Sequence, residues 1–147
     1  MKVSSETLEI ARNNAMVFDF LTNFANIDRI FEHVVDVSFA QENPAGLGSQ
    51  YQQTRIVHGR RYAETVAVIA FARNSQYSLK VSSYGVDNIY TYTLEAMGPE
   101  LTRVHLTKQA LAKGWSKLLL PLVYHLLTRP EHDGRHLQVL KSAIERS

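Results

Sequence analysis

The spacing of hydrophobic positions changes twice along the chain. Apolar residues alternate weakly over residues 3–11, and they recur at helical spacing over residues 15–21, directly after a possible cap at Asn13. From residue 33 to residue 111 the spacing is two, and over residues 115–145 it becomes helical again. This order predicts a first strand, short helices, a run of strands and one closing helix.

The strand-like region divides into six segments joined by short turns, which predicts an antiparallel meander. The predicted strands cover residues 33–39, 51–57, 61–71, 77–84, 89–97 and 101–111, and a second short helix is predicted over residues 25–31. Side-chain parity makes one face of the sheet apolar and rich in tyrosine and the other face polar. Such a sheet is packed on one side only.

The closing segment is the only long candidate to cover the apolar face. Pro121 fits the first turn of a helix, whereas Pro130 predicts a kink. At 100° per residue its apolar side chains fall within a narrow arc: Leu122, Leu126, Leu137, Leu140 and Ile144. We therefore expect an α+β domain, in which a curved antiparallel sheet of about seven strands wraps around a long C-terminal helix. The order of the elements also predicts a cavity between the sheet and that helix.

Length and composition narrow the classes of function. A chain of 147 residues predicts one domain over residues 1–147, and the absence of cysteine excludes disulfides, thiolate nucleophiles and cysteine metal sites. The 16 basic and 14 acidic residues are spread along the chain, and the only adjacent basic pair, Arg60-Arg61, falls at a predicted hairpin end. We expect no nucleic-acid binding.

The N-terminus lacks the apolar segment of a signal peptide, and no apolar run approaches the ~20 residues of a spanning helix, so we expect a cytoplasmic protein without membrane insertion.

The whole pattern resembles the START-like (SRPBCC) superfamily, which has the helix-grip fold and includes polyketide cyclase/dehydrase-like proteins. The segments that carry the resemblance are residues 17–21 and 26–31 in the early helices, 34–37 and 101–104 in strands, 46–51 in a turn and 140–145 at the end. The resemblance implies a domain that binds or carries a small hydrophobic or amphipathic ligand in an internal cavity. No cofactor is expected.

Tyrosines on the apolar face are the first candidates to line that cavity, because a pocket needs apolar walls with a few groups that orient the ligand. The predicted ligand-binding residues are Tyr51, Gln53, Arg55, Tyr62, Tyr77, Tyr90 and Tyr92 on the strands, with Leu122 and Leu126 on the closing helix. The alternative is ordinary strand core, with each hydroxyl satisfied at an edge.

Glu64 and Lys108 are the candidates for catalysis. By parity Glu64 shares a face with Val66, and Lys108 shares one with Leu106. If both point inward, burial shifts their pKa values and they could transfer protons on a carbonyl ligand, while Arg55 could bind an anion. The alternative is that the strands bulge or end there and leave all three side chains in solvent.

Two other motifs are interpreted as parts of the fold and not as functional sites. His132 and His136 stand at i, i+4, with His125 on the same stripe, but this stripe lies about 90° from the apolar arc, which predicts surface histidines and no metal site. Gly46-x-Gly48 precedes a strand and not a helix, which predicts a hairpin turn and not a phosphate loop.

Three hypotheses of function remain open. Ligand binding is favoured, because the predicted walls are largely uncharged. The alternative is a cyclase/aromatase-like enzyme that uses Glu64, Lys108 or a cavity tyrosine as acid or base, without a metal. The third is a partner-binding module, such as a homodimer formed through the long helix or an exposed strand edge.

Overall fold

The computed structural model describes residues 2–31, 33–39, 46–83, 86–112 and 136–146. Its strands are β1 (Lys2–Ile10), β2 (Val34–Phe39), β3 (Gln50–Val57), β4 (Arg60–Ala72), β5 (Gln76–Ser83), β6 (Val86–Gly98) and β7 (Leu101–Ala112). Its helices are α1 (Asn14–Thr22), α2 (Ile27–Ile30) and α3 (His136–Glu145), with a 3₁₀ turn at Phe24–Asn26. The predictions for Pro121, Leu122, His125, Leu126, Pro130 and His132 lie outside the described residues.

The strands form one antiparallel sheet of seven strands in the order β1-β7-β6-β5-β4-β3-β2. Strands β2 to β7 are therefore a meander, because each pairs with the next strand along the chain. The first strand closes the other edge by pairing with the last, with Thr7 opposite His105. The predicted α+β helix-grip fold is confirmed.

Residues with a left-handed backbone conformation, in which φ is positive, form the tight turns. His58 and Gly59 both have positive φ, at 54° and 77°, as a two-residue hairpin between antiparallel strands requires. Gly48 has φ of 87°, and the amide of Ser49 donates to the carbonyl of Gly46 at 3.0 Å. Since β3 follows directly, the interpretation of the two-glycine motif as a turn is confirmed.

Helix α1 begins where the sequence predicts. The Asn13 side chain accepts a hydrogen bond from the amide of Met16 at 2.9 Å, which satisfies one of the free N–H groups at the helix start. Its buried residues include Val17 and Phe18. The Phe18 ring meets the Phe71 ring edge-to-face with centroids 5.2 Å apart, so this nine-residue helix is held by its packing on the sheet.

The second predicted helix is divided into two shorter elements. The Asn23 side chain accepts from the amide of Ala25 and starts the 3₁₀ turn, and α2 follows at once. Asn26 precedes α2 but makes no capping hydrogen bond there. Its side-chain oxygen accepts from Arg29 Nη1 at 3.3 Å, and its side-chain amide donates to the carbonyl of Phe20 at 3.1 Å. Of the two asparagines, only Asn23 therefore caps the start of an element.

Helix α3 packs Leu137, Leu140 and Ile144 into the main core cluster, which confirms that part of the predicted apolar arc. Its last turn is tied to the end of β1, because the amide of Ala11 donates to the carboxylate of Glu145 at 2.9 Å. Among the described residues, no helix has the length and apolar character needed to cross a membrane.

Candidate functional site

The concave face of the sheet has two chemically different halves. The apolar half lies nearest α1 and the last turn of α3, and it comprises Ile10, Val17, Phe18, Leu21, Tyr77, Leu94, Val104, Leu140 and Ile144. The polar half lies towards the opposite strand ends, and it comprises Ser4, Gln53, Arg55, Glu64, Ser83, Asn88 and Lys108. Alternation along the strands places the strand residues of both sets on the same face. The helices α1 and α3 pack their buried side chains against the apolar half.

Glu64 is the centre of the polar half. Its side chain has no exposed surface, and its two oxygens accept hydrogen bonds from Gln53 Nε2 at 2.9 Å and from Arg55 Nη2 at 2.8 Å. The arginine thus compensates the charge of a carboxylate that has lost its water. Glu64 and Arg55 therefore point inward, which is the condition for their proposed roles in proton transfer and anion binding.

The alternative, in which these strands bulge or end near Glu64, is wrong. β3 and β4 remain in regular register from Gln50 opposite Ala67 to Val57 opposite Arg60. The irregularity of β4 lies further along, in its pairing with β5 between Val68 and Ala70. The alternation therefore continues through Glu64 and keeps its side chain on the concave face.

Lys108 also lies on the concave face. It is buried, its register partner on β6 is Tyr90, and its Nζ lies 5.3 Å from the centroid of the Tyr90 ring. A cation at this distance from an aromatic face is attracted by the ring quadrupole. The solvent-exposed alternative is wrong for this residue too.

Four of the predicted tyrosines are buried together: Tyr51, Tyr77, Tyr90 and Tyr92. Burial raises the pKa of Tyr51, and the neighbouring Tyr77, Glu64 and Tyr90 raise it further. Burial likewise raises the pKa of Tyr92, so both hydroxyls keep their protons at neutral pH and can donate hydrogen bonds. Tyr62 is half-buried, opposite Arg55 in the register.

His136 is a site residue that the sequence analysis missed. It is buried, its Nε2 lies 2.5 Å from the hydroxyl of Tyr92, and its ring stacks on Phe31 with centroids 4.8 Å apart. Burial, and secondarily the charge of Lys108, lowers the pKa of His136 to about 3, so the imidazole is neutral at pH 7.

The prediction of a surface position for His136 is therefore wrong. On a helix, residues four apart share a side, and His136 stands four residues before the fully buried Leu140. That spacing indicates a buried position for His136. The interpretation of the three histidines as one surface stripe does not take it into account. Among the described residues, no group of three or more histidine, aspartate or glutamate side chains comes together to hold a metal ion.

Several buried polar atoms of the polar half have no hydrogen-bond partner among the described residues. They are Ser4 Oγ, Gln53 Oε1, Arg55 Nε and Ser83 Oγ. Buried polar atoms are nearly always paired in folded proteins, so several exceptions on one half of the sheet face require an explanation.

Two open clefts lie outside the concave face. One of about 480 Å³ lies between α2 and α3, beside Arg29 and Arg146, and one of about 270 Å³ lies beside Asp28 and Asp36. None of the predicted site residues lines either cleft.

No protein-family model matches the chain, and no curated protein matches it. Solved structures do match it. The Zhui aromatase/cyclase of a Streptomyces species is 14% identical with a TM-score of 0.77, over 99% of this chain and 94% of that one. A START superfamily protein of Mycobacterium smegmatis is 15% identical with a TM-score of 0.71, over 98% and 97% of the two chains. This protein has the START-like, helix-grip fold.

A third similar structure broadens the chemistry found on this START-like fold. A point mutant of norcoclaurine synthase from Thalictrum, in complex with a transition-state analogue, is 12% identical with a TM-score of 0.70, over 99% of this chain and 94% of that one. At such low identities the fold alone is shared, so function has to be argued from the chain's own residues.

Proposed function

We propose that this START-like domain binds or carries a small amphipathic molecule between its sheet and α3. The single observation that carries the proposal is the composition of the concave face, where buried tyrosines lie between an apolar half and a polar half. Apolar walls with a few convergent polar groups are the usual composition of a ligand site. The apolar half would receive the body of the ligand and the polar half its polar end.

The energetics of the polar half support this proposal. Burying the Glu64–Arg55 pair contributes little net stability, since a hydrophobic pair of similar volume is often equally stable. Buried polar atoms without a partner, as Ser83 Oγ is among the described residues, reduce stability. A set of groups that does not serve folding is best explained by a ligand that uses them.

The direct test is native mass spectrometry of the protein purified from its own host. We expect a small organic molecule to co-purify and to be released on denaturation. The protein freed of this molecule should regain thermal stability when the molecule is returned, because binding to the native state alone stabilises it. Protein that carries no molecule, and whose Tm is raised by no amphipathic aromatic compound, would contradict the proposal.

A matched pair of variants locates the site. Val81→Phe adds a ring at a buried position of the concave face, and Ile69→Phe adds the same ring to an exposed residue of β4. We expect the first variant to lose most of the bound molecule and the second to keep it. Equal binding by both variants would place the ligand elsewhere.

A second candidate function is acid/base catalysis of the cyclase/aromatase kind. The observation that favours it is the hydrogen bond between Tyr92 and His136, which joins a protonated phenol to a neutral imidazole next to Lys108. A phenol that keeps its proton can donate to a ligand carbonyl and to the developing enolate oxygen, while the neutral imidazole holds the hydroxyl in place.

Proton exchange tests this second candidate directly. The protein should accelerate deuterium incorporation beside the carbonyl of α-tetralone in heavy water, as followed by NMR. His136→Gln should abolish the acceleration, whereas His105→Gln, on the partly exposed Thr7–His105 pair, should leave it unchanged. If the wild-type protein does not exceed buffer, the domain is a binder and not an enzyme of this kind.

A further inference from the structure

We propose that the polar half selects a ligand whose polar end is uncharged and carries both a hydrogen-bond donor and an acceptor, as hydroxyl and carbonyl groups do. This inference rests on the proposed binding function and deepens it by naming the chemical class of the ligand.

The buried polar atoms that have no partner among the described residues call for both kinds of group. Gln53 Oε1 can only accept a hydrogen bond, Arg55 Nε can only donate one, and the hydroxyls of Ser4 and Ser83 can do either. Gln53 and Arg55 stand two apart on β3 and therefore share a face. A ligand that carried only acceptors would leave the Gln53 carbonyl unpaired, and a ligand that carried only donors would leave Arg55 Nε unpaired.

The charges of the concave face favour a neutral ligand. We compare the charged side chains of this face that are described and not exposed. Two are carboxylates, Glu6 and Glu64, and two are cations, Arg55 and Lys108, so the charges balance. Arg55 in particular is already paired with Glu64 at 2.8 Å, so it offers a hydrogen-bond donor rather than an unbalanced charge. An anionic ligand would gain no net attraction there, and it would meet the carbonyl of Gln53 and two carboxylates.

Glu64 acts as the positioning residue of this arrangement. By accepting from Gln53 Nε2 it determines the orientation of the amide and leaves Oε1 as the atom available to a partner. Because the carboxylate accepts from Arg55 Nη2, the buried Nε keeps a donor that has no partner among the described residues. One carboxylate thus holds an acceptor and a donor at the same end of the interior.

Three aromatic probes of the same ring system test the inference by isothermal titration calorimetry. They are a dihydroxynaphthalene, which is neutral and bears donors and acceptors, naphthoate, which is an anion, and naphthalene, which has no polar group. We expect the dihydroxynaphthalene to bind about tenfold or more tightly than either of the others, since each paired buried group contributes to affinity.

Variants then assign the effect to named atoms. Gln53→Met should weaken dihydroxynaphthalene binding about tenfold and leave naphthalene unchanged. Gln52→Met, at the exposed position next to it on the opposite face, is the matched control and should change neither. Glu64→Gln removes the charge that balances Arg55, so it should reverse the preference and make naphthoate the tighter of the two polar probes.

The outcomes separate the two proposals. If wild-type protein binds naphthoate as tightly as the dihydroxynaphthalene, the inference of a neutral ligand is overturned while binding itself stands. An unchanged preference in Gln53→Met, with folding verified by circular dichroism, would overturn it as well. If none of the three probes binds, both this inference and the proposed binding function fail.

Discussion

The apolar and polar halves of the concave face are built on the same strands, yet their interactions differ in kind. In the apolar half, Phe18 meets Phe71 and Tyr77 edge-to-face, and Val104 and Leu140 are fully buried beside them. In the polar half, a carboxylate, a guanidinium and an amide bond to one another away from water. The apolar half has the chemistry of a folding core, and the polar half that of a site.

Under the proposed function, stability and ligand binding depend on different positions of the same strand. β7 contributes Val104 to one half and Lys108 to the other, only four residues further on. A substitution in the apolar half should therefore act on the free energy of unfolding. One in the polar half should act on ligand affinity, except where it leaves a buried charge alone.

The largest effect is expected in the apolar half. Phe18→Ala should lower the free energy of unfolding by about 3–5 kcal/mol, because it removes a fully buried ring and leaves a cavity. Met16→Ala, on the exposed side of α1, should change it by less than about 0.5 kcal/mol. Urea denaturation measures both. A small loss in Phe18→Ala would mean that the apolar half is not the folding core.

The second-largest effect is expected at the Glu64–Arg55 pair, and it tests whether this pair serves ligand binding or folding. Glu64→Ala should destabilise by about 3 kcal/mol, because the Arg55 charge remains buried without its partner. Replacing both residues, as Arg55→Met with Glu64→Leu, should restore most of that stability, and the double variant should not recover ligand binding. If the double variant were as unstable as the single one, the ion pair would serve folding itself.

His136 should add a pH dependence to stability. Its pKa in the folded protein, about 3, lies below the ordinary 6.5, so the unfolded chain binds more protons between these values and stability decreases as the pH falls. Between pH 6 and pH 5 the contribution is about 1 kcal/mol. Chemical denaturation over this range should give a shallower dependence in His136→Gln than in wild type, with His105→Gln as the control. Parallel curves for wild type and His136→Gln would contradict a buried neutral imidazole.

The smallest effect concerns single hydroxyls. Ser83→Ala removes a buried hydroxyl without a partner among the described residues, so it should be neutral or stabilise by up to about 1 kcal/mol. Thr102→Val in the apolar half removes a hydroxyl that donates to the carbonyl of Arg12 at 2.8 Å, and it should destabilise by about 1 kcal/mol. Differential scanning calorimetry of both variants makes the comparison. Equal losses of stability in the two variants would contradict the distinction between the two halves.

The alternation of side chains is sufficient to predict the meander, but it leaves open whether Glu64, Arg55 and Lys108 point inward or into solvent. It could not predict that Gln53 and Arg55 bond to the same carboxylate, because the register between β3 and β4 depends on the hairpin at His58-Gly59. The helical arc also predicted the buried Leu137, Leu140 and Ile144.

His136 was misassigned for a physical reason. Hydropathy treats histidine as polar, whereas a histidine that is neutral and bonded to Tyr92 can be buried like an aromatic residue. Only the position of α3 over the tyrosines reveals that partner. The spacing of residues along the chain does not predict such long-range contacts.

The pairing of the first strand with the last has a consequence for the order of folding. Thr7 and His105 lie 98 positions apart, whereas the hairpins of the meander bring together residues that are close in sequence. Closing so long a loop is entropically unfavourable until the meander has provided a surface for β1 to join. The sheet should therefore assemble from its hairpins first, and the N-terminal strand, with the end of α3 tied to it, should be the last to gain protection from hydrogen exchange.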